Sequence, residues 1–400
     1  MAPGNAGTQT EARVRNAPVP VGDIPGLVEL ARRERIDLTI IGPEGPLVAG
    51  VVDAFHAAGL ACFGPQALAA RLEGSKAFAK DFLQRHGIPT AASRTFTRSN
   101  YDRDWVRAQR LPIVVKASGL AAGKGVVIAD NPEAADAAAL EMLGGRFGDA
   151  GSEIVIEEFL QGEEASFIVM AAGERILPLA SSQDHKRLDD GDRGPNTGGM
   201  GAYSPAPVVT AAVHARVMRE VIEPTIRGLA ADGTPYTGFL YAGLMVDADG
   251  AVKVLEFNCR LGDPETQPIL SRMRSDLTEL CESALAGRLD AVVPQWDPRA
   301  ALGVVLAAAG YPDSVCLGDH IEGLAAASQR PGKLFHAGTR CEQGRMVTSG
   351  GRVLCAVGLG ETVGAAQAQA YRLIEPLHFR GMQFRRDIGY RAIARELSAQ

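Results

Sequence analysis

Residues 112–129 read PIVVKASGLAAGKGVVIA. Two short β-branched runs, PIVVK at 112–116 and GVVIA at 125–129, flank a turn in which Gly119, Gly123 and Gly125 alternate with small residues. Runs of this length and composition, punctuated by glycine, read as strands. A phosphate-cradling P-loop needs G-x-x-x-x-G-K, then Ser or Thr, then a helix. Here Ser118 stands where the first glycine belongs, Lys124 is followed by Gly125, and the chain continues as a strand. The segment therefore joins two strands and reads as a lid. Its glycines leave backbone N–H groups free to wrap phosphate oxygens, and Lys116 and Lys124 supply positive charge. The competing reading is a flexible hairpin with solvated lysines.

Further along, Val252–Asn258 (VKVLEFN) alternates as a strand does. Residues i and i+2 share a face, which puts Glu256 and Asn258 together with Val254, and Leu255 and Phe257 opposite. Both polar residues offer oxygen, as a hard cation such as Mg²⁺ requires, and such an ion typically bridges to nucleotide phosphates. The loop that follows, CRLGDPETQP, adds Arg260, Asp263 and Glu265. A polar strand end followed by an arginine and two acids is a candidate site; the alternative is a strand end fraying into a solvated turn. Between these two segments lies QDHKRLDDGDRGPNTGGMGAYSP at 183–205, polar and with five glycines. Loops this long are usually functional or disordered. Asp184, His185, Lys186 and Arg187 place an acid beside bases, and the run from Asn196 through Thr197 and Gly198 offers donors for a carboxylate or phosphate.

Around these segments the organisation is α/β and α+β. Ile36–Gly42 (IDLTIIG) reads as a buried parallel strand, Leu60–Phe63 as another, and Ile24–Glu34 and Pro46–Gly59 as helices. This is a βαβ pattern and predicts an open α/β domain over 1–74. Ser75 caps a helix over Lys76–His86, which Gly87 ends. Glu153–Leu160 and Glu164–Met170 read as a further strand pair, and Gly238–Val246 joins Val252–Asn258. An α+β domain follows over 75–296, with a lid subdomain at about 97–162. Pro294, Trp296 and Pro298 mark a boundary. A small α+β domain occupies 297–400, with strands at Gly303–Ala307 and Val353–Val357 and a helix at Thr362–Leu373.

The formal charge is 41 − 47 = −6, and 46% of residues are hydrophobic. That is ordinary for a globular chain, and the missing basic excess argues against a nucleic-acid-coating protein. No apolar run approaches the ~20 residues of a membrane span, and the first residues lack the pattern of a secretory signal. Six cysteines, none spaced C-x-x-C, indicate neither a zinc knuckle nor a redox motif and fit a reducing, cytoplasmic setting.

Taken in order, eleven stretches resemble the phosphoribosylamine–glycine ligase (glycinamide ribonucleotide synthetase) family of the ATP-grasp superfamily. They are APGNAGT at 2–8, DLTIIGPEGPLVAG at 37–50, LEGSKAFAKDFL at 72–83, IVVKASGLAAGKGV at 113–126, IVIEEFLQGEEASF at 154–167, SQDHKR at 182–187, GPNTGGMGAYSP at 194–205, YTGFLYAGLM at 236–245, LEFNCRLGDPETQ at 255–267, GGRVL at 350–354 and RRDIGYRAI at 385–393. The resemblance implies an N-terminal pre-ATP-grasp domain, a central ATP-grasp domain with a glycine-rich lid, and a C-terminal domain. It implies ATP-dependent ligation of glycine to 5-phosphoribosylamine through glycyl phosphate, a step of de novo purine synthesis. Mg²⁺ or Mn²⁺ would assist, in a cytoplasmic monomer without nucleic-acid or membrane partners.

The resemblance also implies roles. Lys76 and Lys116 hold the ATP phosphates, and the loop with Gly119, Gly123, Lys124 and Gly125 closes over them. Glu157, Glu158, Phe159 and Leu160 form the hinge that receives adenine, mainly through backbone groups, and Glu164 meets the ribose. Glu256 and Asn258 are the metal ligands. Arg260, with Lys116, serves the transferring phosphoryl group. Asp184, Lys186, Asn196, Thr197, Gly198 and Asp263 are candidates for holding glycine or the ribosylamine. Two further readings stay open: another ATP-grasp carboxylate–amine ligase, or a catalytically impaired ATP-binding copy. The second arises because the family opens with a strand and a glycine-rich G-x-G-G-R-E-H turn before APGN, whereas here Met1 directly precedes APGN. That leaves the N-terminal domain without its first βα unit, and a misplaced start is the favoured explanation. Smaller departures are Ser118, where the family has Asp, and Leu261, where it has Phe.

Overall fold

The computed structural model describes residues 1–121 and 124–398. Near the N-terminus, helix Ile24–Glu34 forms where predicted, capped by Asp23, whose side chain accepts from the Gly26 N–H. The helical run after it divides in two, Glu44–Val48 and Val51–Ala57. Gly50 between them takes φ +86°, a conformation costly for residues with a Cβ. The strand expected at 36–42 is reduced to Thr39–Ile40, pairing in parallel with Cys62–Phe63. It is not buried as expected, because it pairs on one edge only and Ile36 and Ile40 are exposed.

Two antiparallel four-stranded sheets form the middle of the chain. The first runs Ser93–Thr97, Glu153–Glu158, Ile113–Ala117, Val126–Ala129. Its apolar face packs on helix Pro132–Glu141, with Phe96, Ile113, Val115, Ile154 and Ile156 buried. Burying side chains of this size stabilises by about 1.5–3 kcal/mol each. The second runs Val252–Asn258, Thr237–Val246, Glu163–Ala172, Arg175–Pro178. Its core is continuous with the N-terminal helices: Val52, Phe55, Leu72 and Phe82 pack together with Phe167, Leu240, Val254 and Phe257. The two runs expected to pair with one another, 153–160 and 164–170, thus lie in different sheets.

The third sheet is five-stranded and antiparallel: Lys333–His336, Arg352–Gly360, Ala300–Ala307, Gly201–Ser204, Gln183–Asp184. Two of its strands come from the segment expected to be a long polar loop. That segment also forms the hairpin Arg187–Asp189 with Arg193–Asn196. Its backbone groups are satisfied by neighbouring strands, which single-sequence polarity does not reveal. Helix Val363–Ile374, capped by Thr362, covers this sheet. Among the described residues no helix is long and apolar enough to cross a membrane.

Candidate active site

A cavity of ≈ 1370 Å³ opens where the three sheets face one another. Its nucleotide end begins at Ser75, whose side chain accepts the Phe78 N–H at 3.2 Å and starts helix Lys76–Arg85. Lys76 and Lys80 then stand one turn apart on one helix face. The Lys76 N–H donates to the Ser118 carbonyl at 2.8 Å, and the Ala77 N–H to Ser118 Oγ at 3.1 Å. The helix start is thereby joined to the strand that carries Lys116. Glu157, only 3% exposed, pairs with Lys80 at 2.6 Å and with Lys116. Lys80 also donates to Thr90 Oγ1 at 2.7 Å. Burial lowers the pKa of both Lys76 and Lys80; Glu256 opposes this at Lys76, and Glu157 at Lys80.

Opposite the lysines stands the end of Val252–Asn258. The pairing slips between Gly243↔Glu256 and Leu244↔Val254, so Leu255 forms a bulge. The strict alternation expected from sequence fails there: Val254 enters the same core as Phe257, while Glu256 and Asn258 both face the cavity. A bulge re-aims side chains in this way. Lys186 Nζ lies 3.5 Å from Glu256 Oε1 and 3.1 Å from Glu164 Oε2. Lys186, then Lys116 and Lys76, hold the Glu256 carboxyl down to about 2 against burial. Burial works against the charge of Lys186, but Glu164 and Glu256 push its pKa up.

Arg260 follows. Its guanidinium donates to Asn258 Oδ1 at 3.1 Å and faces Glu73 at 3.0 Å and Glu44 at 3.4 Å. Burial pushes the Glu73 carboxyl up to about 7, with Arg260 opposing. At the far end, Thr197 donates through Oγ1 to the Lys186 carbonyl at 2.9 Å and accepts the Gly199 N–H at 3.0 Å. Arg352 donates to the Gly198 carbonyl at 2.6 Å and to Asp263 Oδ2 at 2.7 Å, while the Gly198 N–H donates to Tyr311 Oη at 2.9 Å. Burial, then Glu265, raises the Asp184 carboxyl well above the usual range. Burial, then Arg385, lowers His185 to about 4, so its ring is neutral near pH 7.

The structure brings most of the predicted residues to this one cavity. Lys76, Lys116, Lys124, Gly125, residues 157–160, Glu164, Asp184, Lys186, residues 196–198, Glu256, Asn258, Arg260 and Asp263 all line it. Gly119 does not. Its N–H donates to the Ala150 carbonyl at 2.9 Å, and a Cβ there would meet Ala150 Cα at 2.6 Å, so this glycine serves packing. Gly123 lies outside the described residues. Glu158 turns its carboxylate outward, to Lys253 at 2.7 Å and the Ala92 N–H at 3.1 Å. Sequence reading assigned no role to Lys80, Glu73, Glu44, Tyr311 or Arg352. Lys80 had a signal in its i+4 spacing from Lys76, and Arg352 in the GGRVL stretch.

Glu256 and Asn258 are two oxygen donors fixed on one strand beside a lysine cluster. That set suits a divalent ion that takes its remaining oxygens from phosphate and water.

Fold and cavity together are those of an ATP-grasp enzyme. Residues 74–266 match the family described as phosphoribosylglycinamide synthetase, ATP-grasp (A) domain. The backbone also resembles the biotin carboxylase domain of Hydrogenobacter thermophilus 2-oxoglutarate carboxylase, with TM-score 0.69 at 17% identity, over 92% of this chain and 81% of that one. At that identity the likeness concerns the fold alone.

Residues 1–73 and 301–391 match the N and C domains of the same synthetase. The phosphoribosylamine–glycine ligase of Allochromatium vinosum is 63% identical over 399 residues, 100% of this chain and 93% of its own length. The crystal structure of the Thermotoga maritima phosphoribosylamine–glycine ligase is 35% identical, with TM-score 0.81, over 97% of this chain and 93% of that one. The chain belongs to the phosphoribosylamine–glycine ligase family.

Proposed function

We propose that the chain joins glycine to 5-phosphoribosylamine at the expense of ATP, forming glycinamide ribonucleotide, ADP and phosphate. The observation that carries this reading is the meeting of three cations, Lys76, Lys116 and Arg260, with the Glu256–Asn258 strand end in one cavity. A carboxylate is a poor electrophile. Phosphorylation of the glycine carboxylate by ATP releases ADP and gives an acyl phosphate. The ribosylamine nitrogen then attacks the acyl carbon, phosphate leaves, and the amine loses a proton. Two anions must meet in the first step, so fixed cations have to screen them.

In this reading Lys76 and Lys116 hold the polyphosphate, and the helix joined to Ser118 fixes their separation. The backbone of 157–160 receives adenine, with Phe159 and Leu160 on the wall, and Glu164 meets the ribose. Arg260 stabilises the group in transfer. Glu256 and Asn258 would hold Mg²⁺ or Mn²⁺, which when bound screens phosphate charge. Asp184, Lys186, Asn196, Gly198 and Asp263 line the amino-acid and ribosylamine end, with Thr197 shaping that loop. The lid is the loop at 119–125, of which Lys124 and Gly125 line the cavity. We take the domains as 1–74, 75–296 and 297–400, and the working form as a cytoplasmic monomer acting on small molecules.

The test is ADP release with Mg²⁺ and ATP, with and without glycine and phosphoribosylamine. Release that requires both supports the ligase. Release driven by a different carboxylate, or none while ATP still binds, overturns it in favour of another ATP-grasp activity or an impaired copy. Size-exclusion chromatography checks the monomer.

A further inference from the structure

The LEGSK stretch enters the cavity through Lys76, yet the acid three residues earlier is also buried. Glu73 lies near the end of helix Ala67–Gly74 and is 7% exposed. Its Oε2 accepts the Cys259 N–H at 2.6 Å, and its Oε1 lies 3.0 Å from the Arg260 guanidinium. One carboxylate thus grips the backbone of one residue and the side chain of the next, directly beyond Asn258. Three further contacts surround the guanidinium: Asn258 Oδ1 at 3.1 Å, the Leu261 carbonyl at 3.1 Å, and Glu44 at 3.4 Å. Glu44 comes from the start of a helix in the N-terminal region, so two elements far apart in sequence converge on one arginine.

A buried carboxylate is costly unless it is paired. An arginine on a loop after a strand end can adopt many rotamers unless something fixes it. Glu73 answers both requirements, because it is the least exposed partner of Arg260 and also anchors the loop backbone at Cys259.

We infer that Glu73 is a positioning residue for Arg260, fixing the guanidinium at the cavity wall where the phosphoryl group is transferred. The inference rests on the reading of Arg260 given above. Glu73 touches no reacting atom; it acts through the arginine. It also explains why the GPEG and LEGSK stretches carry acids beside a site whose ligands are anions.

The experiment is the kinetics of Glu73→Gln and Glu73→Asp at pH 8, above the value of about 7 at which Glu73 loses its proton. Glu73→Gln keeps the shape and an acceptor for Cys259 but loses the charge. The expected result is a fall in kcat of about tenfold or more, the scale of lost outer-shell partners. KM for ATP and the thermal midpoint should stay near those of the parent. Glu73→Asp, which keeps the charge, should recover part of kcat. In an Arg260→Ala background, adding Glu73→Gln should change kcat less than about twofold, since coupled residues lose their interaction only once. A Glu73→Gln enzyme with parental kcat, or losses that multiply in the double variant, overturns the inference. Parental kcat in Arg260→Ala alone instead overturns the role of Arg260. Should Glu73→Gln fail to fold, Glu73→Asp and its cycle with Arg260→Ala carry the same decision.

Discussion

Lys80 Nζ lies 2.6 Å from Glu157 Oε2, with 9% and 2% of the two side chains exposed. Glu157 also pairs with Lys116, so one buried carboxylate holds two ammonium groups from different elements. Removing one partner of a buried pair leaves an uncompensated charge, at a cost of about 3–5 kcal/mol. Glu157→Gln should therefore lower stability by about 3 kcal/mol, read from urea unfolding, because it leaves both Lys80 and Lys116 without their carboxylate. It should also raise KM for ATP, because Lys116 loses its fixed counter-ion geometry. Adding Lys80→Met to that variant should restore part of the stability, since it removes one of the two unpaired charges; an additive loss would refute the coupling.

Glu256→Ala tests the metal reading. Loss of a group that anchors a charge-stabilising ion removes several kcal/mol from the transition state, or a rate decrease of about a thousandfold. Circular dichroism should be unchanged, since Glu256 lies on the cavity wall rather than in the core. Parental turnover in this variant would remove the assignment.

Arg352→Ala should act at the far end of the cavity. It deletes the bonds to the Gly198 carbonyl and to Asp263. KM for glycine or for the ribosylamine should rise about tenfold, equivalent to about 1.4 kcal/mol, with KM for ATP unchanged. A rise confined to ATP would contradict this placement.

A pH effect follows from Arg385, which is fully buried and bonded to Asp387 and Asp192 at 2.8 Å. Burial raises the Asp387 carboxyl, but the bonds from Arg385 and the Gly191 N–H outweigh it and bring it down to about 2. A carboxylate whose pKa is depressed by folding stabilises the fold above its unfolded value and loses that contribution as pH falls through its folded value. Asp387→Asn should thus cost about 2 kcal/mol at pH 7, the scale of a charged hydrogen bond. The gap between parent and variant should close as pH falls from about 4 toward 2. A gap independent of pH would exclude the ion pair as its source.

His185 gives the opposite sign of prediction. With its pKa lowered to about 4, it should show no titration between pH 8 and 5.5 when its ring resonances are followed by NMR. The Gly389 N–H donates to its Nε2 at 3.1 Å. A midpoint near 6.5 would place the ring in solvent instead.

Much of this was legible in the sequence because local rules were obeyed. Ser75 announced a helix start, the runs around residues 112–129 formed the expected strands, and the polar types at 256, 258 and 260 advertised the site. What escaped was set by tertiary pairing. A bulge at Leu255 has no single-sequence signature, so Val254 was put on the wrong face. The 183–205 segment is polar because it lines a cavity, not because it is unstructured. Glu73 and Lys80 matter through Cys259, Arg260 and Glu157, which lie far along the chain, and no local pattern reports such pairings.

The shared sheet of the C-terminal region has a practical consequence for anyone recombining these enzymes. Strand Ala300–Ala307 pairs on one side with Gly201–Ser204 and on the other with Arg352–Gly360. A chimera spliced at residue 296 would therefore cut no peptide within a strand and yet join hydrogen-bond ladders from two ancestries along the length of Gly201–Ser204. Transplants should instead carry residues 183–204 together with 297–400, treating a discontinuous pair of segments as the exchangeable piece.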